Sequence, residues 1–170
     1  AWASGVKTYN NAIGKDAAGR TVATFMEQAK ARGLRTGNVA TSEITDATPA
    51  VQFSHSSLRG CQGPDFSASA CEPGDTPIAE QIARNNVADV ILGGGLSRFE
   101  PDDQAAMTSN GYTVLGSFGD PALEVQTETT QTVPTADDLA AVSGRDQRVI
   151  GLFNRGNLTV TDAGTLVSNA

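Results

Sequence analysis

TPIAEQIARNNVADVILGGG, residues 76–95, reads as one complete helix-then-strand unit. Thr76 is a good N-cap and Pro77 suits the first helical position, so IAEQIARNN supplies the helix. VADVILGGG then reads as a strand buried on both faces, because its apolar run does not alternate with polar residues. Three more stretches repeat the pattern: TVATFMEQAKARG (21–33) before LRTGNVA, PDDQAAMTSNG (101–111) before YTVLGS, and PTADDLAAVSG (134–144) before VIGLFN. Helix alternating with strand predicts an α/β fold, a parallel-type sheet flanked by helices. Residues 62–75 and 124–135 are polar without helical periodicity and are expected to be surface loops. The tail from Thr159 to Ala170 cannot complete another unit, so the fold is expected to continue beyond it.

With 170 residues, 39% hydrophobic and 18% charged, the chain suits one partial α/β domain spanning 1–170. A formal charge of −7 disfavours a nucleic-acid partner, whose recognition needs clustered Lys and Arg. The longest apolar run, VADVILGGGL, is too short and too glycine-rich to cross a membrane. With no initiating methionine and no signal peptide, the chain is expected to be soluble and to begin mid-protein. Gly93-Gly94-Gly95 invites a nucleotide-binding reading, but Arg98 stands where a dinucleotide fingerprint needs glycine, and no Walker lysine follows. A tight strand-to-loop turn is the better reading.

The chemistry concentrates in TSEITDATPAVQFSHSSLRGCQGPDFSASAC, residues 41–71. Asp46 and Thr48 offer hard oxygens two residues apart, as a Mg²⁺ site would need. They also read as a plain helix start, with Thr48 as cap, Pro49 in first position and AVQFSHSSL continuing to Arg59 and Gly60. Arg59 could grip two phosphate oxygens with its planar fork, or simply complement the helix dipole in the last turn. His55 is the chain's single histidine, one expected helical turn before Arg59, and a surface or supporting role suits it better than metal ligation. One histidine cannot build a two-zinc centre. Cys61 and Cys71 enclose nine residues with no third ligand for zinc nearby, which leaves a disulfide tying a 61–75 surface loop, or two free buried thiols. A disulfide would add roughly 2–3 kcal/mol and would place the chain in an oxidising compartment.

TGNVATSEITDATPA (36–50), Arg59 ahead of Cys61, Cys71, ADVILGGG (88–95), AWASGVKTYNNAIG (1–14) and VIGLFNRGN (149–157) together resemble bacterial alkaline phosphatase over nearly the whole chain. The chain is similar to an internal segment of that family, without the nucleophilic serine and most zinc ligands, which lie outside it. The resemblance implies a Mg site at Asp46 and Thr48, an Arg59 that binds the substrate phosphate, a Cys61–Cys71 disulfide, and two Zn ions held by residues elsewhere. It further implies phosphate monoester hydrolysis through a phosphoserine intermediate, a homodimeric full-length enzyme, and a periplasmic or secreted location. By itself the 170-residue chain is expected to be inactive. Two alternatives remain, a non-catalytic α/β binding module and a related metallohydrolase of the sulfatase or phosphodiesterase type.

Overall fold

The computed structural model describes residues 1–63, 70–144, 146–160 and 166–167. Four strands, β1 (Gly37–Glu43), β2 (Val90–Gly94), β3 (Tyr112–Leu115) and β4 (Arg148–Leu152), form one sheet in the order β1-β2-β4-β3. Every neighbouring pair is parallel, with Val39 beside Leu92, Ile91 beside Ile150 and Thr113 beside Val149. The α/β architecture expected from the alternating pattern is the one observed. Thr159–Val160 and Leu166–Val167 form β5 and β6, a small antiparallel pair outside the main sheet.

Helices α1 (Phe25–Ala31), α2 (Ala47–Ala50), α3 (Ile78–Asn85), α4 (Pro101–Ser109) and α5 (Ala136–Ala140) connect or precede the strands. Thr24 starts α1 through a capping box, accepting the Glu27 N–H at 3.1 Å while Glu27 Oε2 accepts the Thr24 N–H at 2.7 Å. The helix is therefore shorter than 21–33. Thr76 does not cap α3, contrary to its sequence signal: Pro77 occupies the cap position in extended geometry and makes no side-chain cap bond. Carbonyls of the cysteine loop serve instead, with Cys61 O accepting from Ile78 N–H and Gln62 O from Ala79 N–H, both at 2.9 Å.

Ile44, Phe53, Ile78, Ile91, Leu96, Phe99, Met107, Phe118, Ile150 and Leu152 are almost fully buried and form one core. Phe99 and Phe118 meet with ring centroids 5.3 Å apart at a 52° tilt. At the amino ends of the strands, Asp89 accepts from Thr36 N–H at 2.9 Å and pairs with Lys30 at 2.5 Å and Arg148 at 3.4 Å. Burial pushes its carboxyl up, but the Lys30 ammonium, the Thr36 N–H and the neighbouring cations outweigh it and hold the group below the usual carboxylate range. The carboxyl ends of β1, β2 and β4, the edge where open parallel sheets bind ligands, are left to the loops described next.

Candidate functional site

β1 ends at Glu43, and a tight turn follows in which Asp46 N–H donates to Glu43 O at 3.0 Å. Ile44 N–H donates to Gly94 O at 3.0 Å, tying the turn to the end of β2. Asp46, not Thr48, is the cap of α2: its Oδ1 accepts the Ala47 N–H at 2.8 Å. A carboxylate two residues earlier reached the free N–H groups first, and Asn38 Nδ2 fixes the helix by donating to Pro49 O at 2.8 Å.

The helix expected to run to Arg59 stops at Ala50. Val51 closes the helix and turns carry the chain to Ser54, whose N–H at 2.9 Å and Oγ at 2.7 Å both donate to Ala50 O. The chain then leaves the helix: Ser56 pairs with Ile13 through two 3.0 Å backbone bonds, and bends and a turn follow through Gly60. His55 and Arg59 consequently do not share a helical face. Arg59 N–H donates to Asn11 O at 2.7 Å, and its guanidinium Nη2 turns back to pair with Asp46 Oδ1. Asp46 and Arg59 are thus brought together from thirteen residues apart, their side chains 38% and 49% exposed. Thr48 lies in the first turn of α2 with an exposed side chain, and its hydroxyl has no hydrogen-bond partner among the described residues.

His55 is enclosed rather than at the surface. Nδ1 lies 2.8 Å from Gly14 O and Nε2 2.8 Å from Glu27 Oε1. Because a carbonyl and a carboxylate accept, the protonated ring, which donates from both nitrogens, is the form these two contacts favour. Burial opposes its charge, but the bonds to Glu27 and Gly14 prevail and raise its pKa. Glu27 also feels burial, which pushes it up, yet His55 and the Thr24 cap bring it below its ordinary value.

Asp75, in the stretch read as a solvated loop, is an anchor instead. Its Oδ2 accepts the Ser57 N–H at 2.6 Å and Oδ1 takes the Lys15 ammonium at 2.9 Å, with side-chain exposures of 9% and 13% for Asp75 and Lys15. Nothing in the local pattern announces a pair sixty residues apart. The same holds for Glu43 and Arg98, joined by a fork of 2.8 and 3.3 Å. Cys61 and Cys71 form the disulfide, while residues 64–69 of the expected 61–75 loop lie outside the described residues. Among the described residues no group of three or more His, Cys, Asp or Glu is arranged to hold a metal ion.

The alkaline phosphatase family profile matches residues 1–165. Alkaline phosphatase of Escherichia fergusonii is 40% identical over 170 residues, covering 94% of this chain and 34% of the relative. That of Escherichia coli is 38% identical over 168 residues, with the same coverage. Among solved structures, a cold-active alkaline phosphatase from a psychrophilic Shewanella superposes with a TM-score of 0.66 at 29% identity, over 93% of this chain and 31% of that one. The enzyme from the Antarctic bacterium TAB5 gives 0.64 at 26% identity, over 95% of this chain and 40% of that one. A variant of the TAB5 enzyme was solved with Mg bound. The chain spans about a third of the length of the curated relatives it matches. On its sequence and its parallel-sheet fold alike, this chain belongs to the alkaline phosphatase family.

Proposed function

We propose that the chain is part of a metal-dependent phosphomonoesterase in which Arg59 holds the substrate's phosphoryl oxygens and Asp46 and Thr48 provide oxygen ligands for Mg²⁺. The pairing of Asp46 with Arg59 beside the carboxyl ends of β1 and β2 carries this reading. A half-exposed ion pair contributes only about 0–1 kcal/mol to stability. It is therefore poised to exchange partners without cost to the fold.

The donor set suits Mg²⁺, which takes few protein oxygens and keeps several waters. Both bonds made by the Asp46 carboxylate fall on Oδ1, so Oδ2 remains for a cation, and Thr48 presents its hydroxyl to solvent. When bound, a divalent cation offsets negative charge on the reacting phosphate and lowers the pKa of its water. Arg59 would place two N–H donors on the phosphoryl oxygens, orienting the group and stabilising charge as it grows. The backbone bond to Asn11 and the Ser56–Ile13 bridge hold its loop while it does so.

The described residues do not suit zinc, because the one histidine is spent on Glu27 and Gly14. The two zinc ions and the serine that would form the phosphoserine belong to the parent enzyme outside this segment, and the 170-residue chain by itself is inactive. The parent is a homodimer that works in the periplasm or outside the cell, a setting supported by the Cys61–Cys71 disulfide.

Kinetics of a full-length protein carrying this segment test the reading. Arg59→Ala should lower kcat/KM for phosphate monoesters by about 10²–10³-fold, the scale of losing one preorganised donor, and weaken inhibition by inorganic phosphate. Unchanged kinetics would remove Arg59 from the site. A preference for sulfate esters or phosphodiesters would replace the phosphomonoesterase reading.

A further inference from the structure

Arg20, Arg35, Arg59, Arg84, Arg98 and Arg148 each pair with a carboxylate. Arg32 is exposed and bonds a carbonyl of its own helix. Arg155 differs from all of these. Its guanidinium is directed by a neutral amide, Gln131 Oε1, and no carboxylate pairs with it among the described residues.

That amide is unusually well fixed. Gln131 is 5% exposed, and its Nε2 donates to three carbonyls, those of Leu96, Phe99 and Phe118, each at 3.0 Å. With Nε2 so committed, Oε1 can only point outward at Arg155 Nη1. The main chain of Arg155 is equally constrained, its carbonyl accepting from Ser97 Oγ at 2.7 Å and Ser97 N–H at 3.1 Å. A cation is thus held at both ends and neutralised at neither. It lines an open cavity of ≈ 650 Å³ with Glu128, Thr129, Thr132 and Asn154. Thr132 is itself held by paired bonds to Ser117 at 3.0 and 2.9 Å.

We propose that Arg155 is the centre of an oxyanion-binding site, separate from the Asp46–Arg59 pair, that takes a single phosphate group. A part-buried guanidinium lacking a counter-charge gains most from an anion that matches its planar fork, which phosphate does through two parallel N–H···O bonds. Thr129 and Thr132 line the same cavity, the Thr129 hydroxyl also lying 2.9 Å from that of Thr127. Glu128, also on the lining, opposes the ligand's charge, which limits the site to one phosphate and gives it a second testable residue. Ser97, next to Arg98, ties Arg155 to the Glu43 end of β1, so the site lies along the carboxyl edge of the sheet. The proposal does not depend on the role given to Arg59.

Nitrogen-15 NMR of the full-length protein carrying this segment, following arginine side-chain N–H signals during titration at constant ionic strength, tests it. Inorganic phosphate should shift the Arg155 signal and the Thr129 and Thr132 amides together, half-saturating at about 1–10 mM. Arg155→Gln should weaken binding about tenfold, one charge-assisted contact, and Glu128→Gln should tighten it about threefold by removing a like charge. Arg59→Gln should leave the Arg155 response intact, which separates this site from the phosphomonoesterase reading. Glycerol phosphate binding more tightly than inorganic phosphate would assign the site to an ester's phosphate; the reverse order would assign it to free phosphate. No saturable shift at Arg155, shifts confined to Arg59, or equal affinity in Arg155→Gln would overturn the proposal.

Discussion

Among the described residues, His55 and Asp103 have raised pKa values that bear on stability near neutral pH. Asp103 is 1% exposed and accepts the Glu100 N–H at 3.1 Å with Arg84 at the same distance. Burial dominates and pushes its carboxyl up to about 6, against the pull of the Glu100 N–H and Arg84. A folded pKa above the unfolded value means stabilisation that is complete below the unfolded value of 3.8 and is lost as pH rises through about 6. His55 acts in the same direction: its raised pKa gives stability that is full below its ordinary value of 6.5 and fades at higher pH, as the imidazolium between Glu27 and Gly14 deprotonates. Urea midpoints should therefore fall from about pH 5 to pH 8. Asp103→Asn should flatten the lower part of that slope, removing on the order of 1 kcal/mol of the change between about pH 5 and 7. An unaltered slope would show that Asp103 titrates normally.

At the scale of elements, the stretch from Asp46 to Arg59 reads as one continuous helix and folds as two different things. Four residues of helix capped by Asp46 give way to a non-helical strap of turns and bends, bridged to Ile13 at Ser56. Local propensity favours the helix, but the strap gains pairing with Ile13 and Asn11 and ligation by Asp75. Those partners lie more than eighteen residues away or across the disulfide loop, so no local window contains them. Asp75→Ala would leave the Ser57 N–H without its acceptor and the Lys15 ammonium without its carboxylate, only the Ser57 hydroxyl remaining to it. It should cost about 3 kcal/mol, as breaking a mostly buried pair does, and raise KM for phosphate esters in the full-length protein by loosening the Arg59 strap. Chemical denaturation and steady-state kinetics check the two effects, and wild-type values in both would show that Asp75 anchors nothing.

For the molecule as a whole, the glycines at the end of β2 decide how closely the carboxyl edge closes. A Cβ on Gly94 would stand 2.0 Å from Gly156 O, and Gly95 adopts a φ of +97° that accommodates other residues poorly. The tight strand-to-loop turn expected at this run is what the structure shows. Gly94→Ala should push the loop after β4 away and destabilise the fold by about 3 kcal/mol or more, read as a lowered Tm. It should also disturb Arg155, whose loop is pinned through Gly95 and Ser97. Retention of the wild-type Tm would mean that the edge is looser than the geometry implies.

The four helix–strand units, the parallel sheet and the cysteine pair were readable in the amino-acid order. Each rests on local signals, apolar runs, turn glycines and short Cys spacing, that act over a dozen residues. The order β1-β2-β4-β3, the capping of α3 by carbonyls of the cysteine loop, the early end of α2, the Lys15–Asp75 and Glu43–Arg98 pairs, and the Gln131-directed Arg155 emerged only from the tertiary structure. They are satisfied by partners distant in the chain. A buried donor or charge takes whichever partner the packed core brings near, and no local pattern encodes which one that is.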